Sequence, residues 1–174
     1  MAKKTVKIIS MALLVILAFG IFLYLNNDIG IPKSMIENDF RSLQKVTDDW
    51  KMEESVSDTM AALIFYPDDK SDHIFSVYVN RPGLSFGYFF RGGGDIIETE
   101  KYIAEFTVEG NNERAFISMN EQKVERLEID DGNSIQVMEI DDNKPFAIIL
   151  PVNAGSIVFY DINGDIVETR KHAL

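Results

Sequence analysis

The spacing of apolar residues changes character twice along the chain. Ile8 to Leu25 reads IISMALLVILAFGIFLYL, an unbroken run of 18 residues without a charge. As a helix rising about 1.5 Å per residue it would be roughly 27 Å long, enough to cross the hydrocarbon layer of a bilayer. Lys3, Lys4 and Lys7 precede the run, and Asn26, Asn27 and Asp28 follow it. This asymmetry predicts a basic cytoplasmic tail over residues 1–7, a single-pass transmembrane anchor over residues 8–25, and an extracytoplasmic remainder at a cell membrane. A cleaved signal peptide shares the charged start and the apolar run, and Ala18-Phe19-Gly20 has small residues at the cleavage spacing. Cleavage there leaves Ile-Phe-Leu-Tyr-Leu at the new terminus, and the run exceeds the usual signal core of about 7–15 residues, so the anchor is the expectation.

Residues 26–33 read as a connector too short to be a flexible stalk, and residues 34–174 as one domain. Ser34 and Glu37 match a Ser-x-x-Glu capping box, after which Ile36, Phe40, Leu43 and Trp50 fall on one helical face. The spacing predicts a helix over Met35–Met52 with that stripe against a sheet. From Thr59 the period shortens to two. Phe75, Val77 and Val79 alternate with Ser76, Tyr78 and Asn80, and Tyr102, Ala104, Phe106 and Val108 alternate with Ile103, Glu105, Thr107 and Glu109. Both runs predict strands with one wet face. Thr59–Tyr66, Leu84–Phe90 and Pro145–Leu150 are more uniformly apolar, as strands covered on both faces are. Shorter strands are predicted at Arg114–Met119, Val124–Ile129, Ser134–Ile140, Ser156–Asp161 and Asp165–Thr169. Pro82-Gly83 suits a type II turn, while Asp131-Gly132 and Asn163-Gly164 suit tight hairpins. The expected fold is mainly β (α+β): an N-terminal transmembrane helix, then one amphipathic helix packed on an antiparallel β-meander that forms a sandwich or partial barrel.

Charge and cysteine content narrow the function classes. Setting aside Lys3, Lys4 and Lys7 leaves 14 basic residues against 28 acids, a net charge of −14 on the rest of the chain. Such a domain repels phosphate backbones and anionic lipid, so no nucleic-acid partner is expected. The absence of cysteine removes disulfides, thiolate metal sites and cysteine nucleophiles. No Asn-X-Ser/Thr acceptor occurs, which favours a bacterial surface.

Candidate chemistry is sparse. Arg91-Gly92-Gly93-Gly94-Asp95 follows the aromatic stretch Phe86-Gly87-Tyr88-Phe89-Phe90. Three glycines let backbone amides converge on an anion and Arg91 could add a bidentate contact, so Arg91, Gly92, Gly93 and Gly94 are the candidate ligand site. The competing reading of the same residues is a wide turn or bulge. Ser42-Leu43-Gln44-Lys45 matches a Ser-x-x-Lys pattern, but both polar residues lie opposite the apolar stripe and the companion motifs are missing. Asp161-Ile162-Asn163-Gly164-Asp165 departs from a calcium loop, with glycine at position 4 and His172 at position 12, and a hairpin explains it better. His73 and His172 are far apart in sequence and neither has metal-ligand spacing. No catalytic residue, metal or cofactor is assigned. The expectation is a membrane-anchored binding or interaction module that contacts an envelope protein or a small ligand. The alternatives are a tethered hydrolase using carboxylates and a purely structural domain.

Overall fold

The computed structural model describes residues 2–81, 86–98 and 101–174. Helix α1 (Ala2–Leu25) contains the apolar run, and its window Val6–Leu25 has a mean hydropathy of 2.8 with almost none of it buried. Its length and composition fit a membrane anchor or a signal sequence. The chain then joins the domain directly, because residues 28–31 lie along residues 86–88. Gly30 N–H donates to Phe86 O at 2.6 Å, Ile31 N–H to Tyr88 O at 2.9 Å, and Tyr88 N–H returns a bond to Ile31 O at 2.8 Å. Gly87 makes this approach possible. Its φ is +89°, and a Cβ there would stand 2.6 Å from Ile31 O.

After a short 3-10 turn (Lys33–Met35) comes helix α2 (Ile36–Gln44). Six strands follow: β1 (Lys51–Val56), β2 (Met60–Tyr66), β3 (Ile74–Asn80), β4 (Tyr88–Gly94), β5 (Ile103–Thr107) and β6 (Glu113–Ser118). Six more complete the described residues: β7 (Val124–Asp130), β8 (Ile135–Glu139), β9 (Phe146–Pro151), β10 (Ser156–Asp161), β11 (Ile166–Val167) and β12 (Thr169–Ala173). With 44% of residues in strands, the chain is mainly β. The strands make three four-stranded sheets: a first sheet β1-β2-β3-β4, a middle sheet β12-β5-β6-β9 and an outer sheet β11-β10-β7-β8. No closed barrel forms.

Strand alternation stacks these sheets into layers under α2. In β2, Ala61, Leu63 and Phe65 point to Ile36 and Phe40 of the helix, where the Phe40 and Phe65 rings stack at 4.8 Å. Met60, Ala62, Ile64 and Tyr66 point the other way, to Ala104, Phe106, Ala115 and Ile117 of the middle sheet. The opposite face of the middle sheet, with Ile103, Phe116, Phe146 and Leu150, packs on Leu127, Ile129 and Phe159 of the outer sheet. The layers therefore run helix, sheet, sheet, sheet. Every residue of β2 is buried, as its uniformly apolar sequence predicts.

Several expectations are corrected by this stacking. The helix is nine residues long rather than the predicted Met35–Met52, and the Ser34/Glu37 capping box does not form. Lys45 turns left-handed with φ 57°, and Glu37 instead pairs with Arg41 at 2.8 Å. Arg41 then ties down the departing chain, donating to Thr47 O at 2.8 Å and Trp50 O at 3.1 Å. Leu43 is left 54% exposed, and β1 occupies sequence assigned in part to the helix. The predicted wet faces of β3 and β5 are also dry. Tyr78 is fully buried beneath α2, where its hydroxyl donates to Asp39 Oδ2 at 2.8 Å. Glu105 is buried between the middle and outer sheets and meets Arg114 Nη1 at 3.0 Å. The all-antiparallel expectation fails at β12, which leaves the outer sheet after β11 and runs parallel to β5. Both described hairpins do form, with Gly132 at φ 85° and Gly164 at φ 83°. The Pro82-Gly83 turn lies outside the described residues.

Candidate functional site

The Arg91–Gly94 segment is strand, not loop. Phe90 pairs with Tyr78 and Gly92 with Val77, so Arg91 is the extra residue of a β-bulge and its side chain projects outward. The glycines answer to packing. A Cβ on Gly92 would stand 2.7 Å from the Leu174 side chain, and one on Gly93 would stand 2.6 Å from Phe75 O. Gly94, at φ 142°, closes the strand in a conformation that other residues rarely adopt. Along a strand successive amides point to opposite edges, so the convergent nest expected of a loop is not formed here. Arg91 itself makes no hydrogen bond or ion pair among the described residues.

A cleft of about 410 Å³ opens between the first sheet and the β8–β9 turn, lined by Lys51, Glu53, Tyr66, Lys70, Asn143 and Lys144 among others. Three lysines in one cleft of so acidic a domain suggest an anion, but each is engaged. Lys51 pairs with Asp68 at 2.7 Å, Lys144 approaches Asp141 at 3.8 Å, and Lys70 donates to Asn143 O. The hydroxyl of Tyr66 is held up to about 12 by burial and by the negative charge of Glu53, to which it donates at 3.3 Å. These contacts join the sheets around the cleft and leave no side chain reaching into it unpaired.

The outer sheet differs from both. All five residues of β8 are exposed, and β8 is hydrogen-bonded to β7 on one side only. Ile140 N–H donates to Glu125 O at 2.8 Å, which sets the phase: Gln136 and Met138 bond towards β7, while the N–H and C=O groups of Ile135, Val137 and Glu139 point to the open edge. Register places Ile135 and Val137 on the outer face beside Asp130 and Glu128 of β7, with Val158 and Tyr160 of β10 and Ile166 of β11 beyond. Ile135, Val137 and Ile166 are each about 60% exposed or more, at 61%, 59% and 66%. Arg126 sits among them over the Tyr160 ring at 4.4 Å, held by Glu125 at 2.9 Å and Glu128 at 3.1 Å. Grooves flank the end of β8 on both faces. The outer one, about 360 Å³, is lined by Glu125, Arg126, Val137, Glu139 and Asp142 among others, and the inner one, about 250 Å³, by Glu53, Met138, Asp141, Lys144 and Phe146 among others.

No family model, characterised protein or solved structure matches this chain. The site must therefore be judged on its geometry.

The remaining candidates have structural roles. Asp131 accepts Asn133 and Ser134 N–H at 2.8 Å each, which holds its carboxyl below the usual 3.8. Asp161 does the same for Asp165 N–H at 2.8 Å and Asn163 N–H at 2.9 Å, so this acid closes a hairpin as expected. His73 Nε2 accepts Ile96 N–H at 2.9 Å, and His172 stacks on Phe106 at 5.2 Å. Ser42 and Lys45 are both exposed. Among the described residues no group of three or more acidic or histidine side chains is arranged to hold a metal. What sequence reading missed is β8 as a surface. The signal was present: Asp130-Asp131 and Asp141-Asp142 bracket an apolar alternation with no lysine or arginine between them.

Proposed function

We propose that the protein is a membrane-anchored, extracytoplasmic interaction module, with α1 as a single-pass anchor, its N-terminus in the cytoplasm, and the outer sheet as the surface that engages an envelope protein. Three lysines before an uncharged run support the orientation. The pairing of residues 28–31 with residues 86–88 supports a fixed presentation, since few residues separate α1 from the first sheet. The observation that carries the reading is β8, an edge strand with every residue exposed and apolar side chains on both faces. Soluble domains ordinarily blunt such edges, and one left open is a template for a partner.

Photo-crosslinking in the cells that make the protein tests it. A photoreactive residue at Val137 is expected to give one dominant adduct in intact cells, whereas the same residue at Lys171 gives none. Equal labelling at both positions, or none at Val137, would contradict the reading. Protease added outside the membrane, after removal of any wall, should digest residues 59–174. Protection until the membrane is broken would reverse the topology, and a free domain beginning near Ile21 would make α1 a cleaved signal.

A further inference from the structure

The edges of the three sheets are not equivalent, and the difference identifies the chemistry of the partner. The β4 edge is bridged at Tyr88 by Ile31, with Ile29 pairing Phe86 just before the strand, and beyond Tyr88 it carries a bulge at Arg91. The β1 and β9 edges lie against each other, with Ile149 N–H donating to Ser55 Oγ at 3.3 Å. β11 is two residues long, and β12 carries Arg170 and Lys171, charged residues of the type that discourages strand addition. On its open edge β8 is neither bridged nor abutted by another strand among the described residues, and its one charge, Glu139, lies at its end. Its five residues include Ile135, Val137 and Met138 and no proline, lysine or bulge.

Charge decides between possible occupants. Residues 128–143 contain six carboxylates, Glu128, Asp130, Asp131, Glu139, Asp141 and Asp142, and no basic residue. The nearest cations lie just outside that stretch, each beside its own carboxylates: Arg126 on the outer face is held between Glu125 and Glu128, and Lys144 in the inner groove approaches Asp141 at 3.8 Å, so the acids outnumber them. If two copies of β8 paired antiparallel about Val137, Asp131 of each copy would be brought alongside the Asp141-Asp142 end of the other. Parallel pairing would align identical acids. Either arrangement sets like charges against one another, which is destabilising across a strand pair. A second copy is therefore disfavoured by the residues that would attract a cation.

We infer that β8 binds an extended, lysine- or arginine-bearing segment of another protein, which adds as a fifth strand to the outer sheet. This rests on the reading of the domain as an interaction module and specifies its partner. The outward N–H and C=O groups of Ile135, Val137 and Glu139 supply the ladder, and alternate side chains of the segment enter the two flanking grooves. Its apolar residues pack on Val137 and Met138. Its cations meet Glu139, Asp141 and Asp142.

The test uses the full-length chain in neutral-detergent micelles and a nine-residue peptide of alternating lysine and valine, followed by fluorescence anisotropy. The expected result is saturable binding that weakens as salt rises, at least tenfold tighter than for the glutamate–valine counterpart. Val137→Pro removes an N–H that points away from β7, so it should spare the β7 ladder and weaken binding at least tenfold. Amide exchange supplies the second readout: bound peptide should protect Ile135, Val137 and Glu139, leaving Gln136 and Met138 unchanged. Binding without that protection, or undiminished in Val137→Pro, would reduce the contact to diffuse charge attraction and overturn strand addition. No binding, or self-association abolished by Val137→Pro, would overturn the cationic partner. If the Val137 crosslink in cells is still found, the interaction module survives that failure; if it is absent, both fall.

Discussion

The first and outer sheets have four strands each, yet the first is covered on both faces along β2 while the outer is covered on one. β2 is the most enclosed strand of the first sheet, with α2 on one face and the middle sheet on the other. The outer sheet has one face on the core and no layer over the other, and β8 extends past the cover altogether. In the first sheet three tyrosine hydroxyls are paired inside, Tyr78 with Asp39, Tyr88 with Ser57 O and Tyr66 with Glu53, while Ser76 Oγ is buried without a hydrogen-bond partner among the described residues. In the outer sheet backbone groups and apolar side chains face solvent together. The most completely buried strand belongs to the first sheet, and the most exposed apolar strand to the outer one.

Truncation should separate the two most strongly. Phe65→Ala removes a ring stacked on Phe40 and should cost about 3–5 kcal/mol in urea unfolding of the full-length chain. Val137→Ala, on β8, should change stability by less than about 0.5 kcal/mol. Similar losses at both positions would erase the distinction. Next in size is Glu105→Ala at the junction of the middle and outer sheets. It leaves Arg114 largely buried without its carboxylate, and the loss should be about 3 kcal/mol. Gly87→Ala forces a Cβ towards Ile31 O at a positive φ, and should cost about 1–3 kcal/mol while loosening the junction between α1 and the domain. Exchange of the Gly30 and Ile31 amides, measured in the same variant, reports that loosening.

Buried hydroxyls and turn carboxylates should respond at opposite ends of the pH scale. Burial raises the hydroxyls of Tyr66, Tyr78 and Tyr88 above their ordinary 10, with Tyr66 at about 12. Their contribution is complete below pH 10 and is lost as pH rises through the folded values. Asp131 and Asp161 lie below their ordinary 3.8, so the hairpins they close are fully supported above that pH and weaken as it falls through the lower folded values. Asp69 in the β2–β3 turn is lowered in the same way by its bonds to Ser71, so residue-resolved amide exchange should show the β2–β3, β7–β8 and β10–β11 turns opening in acid before the strand interiors. Strand interiors that opened earlier in acid than these turns would count against this assignment.

The contrast was only partly legible in the sequence. Uniform apolarity marked β2 as doubly covered, and Asp131-Gly132 and Asn163-Gly164 marked two hairpins, because local backbone chemistry decides those features. The wet faces assigned to β3 and β5 failed because Ser76, Tyr78 and Glu105 are polar by type but buried under neighbouring layers, and pattern alone does not count layers. The helix was overextended because Trp50 kept the helical phase after Lys45 had reversed the chain. At Arg91–Gly94 the glycine triplet was visible, whereas the contacts that require it, Leu174 and Phe75, come from distant parts of the chain. β8 was recognised as a strand. Its openness depends on sheet order, of which the bracketing Asp130-Asp131 and Asp141-Asp142 pairs are the one local signal.

Native-state amide exchange of the full-length chain in micelles, without any partner, tests the central contrast most directly. Ile135, Val137 and Glu139 should exchange close to the unprotected rate, Gln136 and Met138 should exchange slowly, and the interior of β2 should be protected up to the global stability. Slow exchange at Ile135, Val137 and Glu139 in the isolated protein would mean that the β8 edge is already covered, and would contradict that contrast.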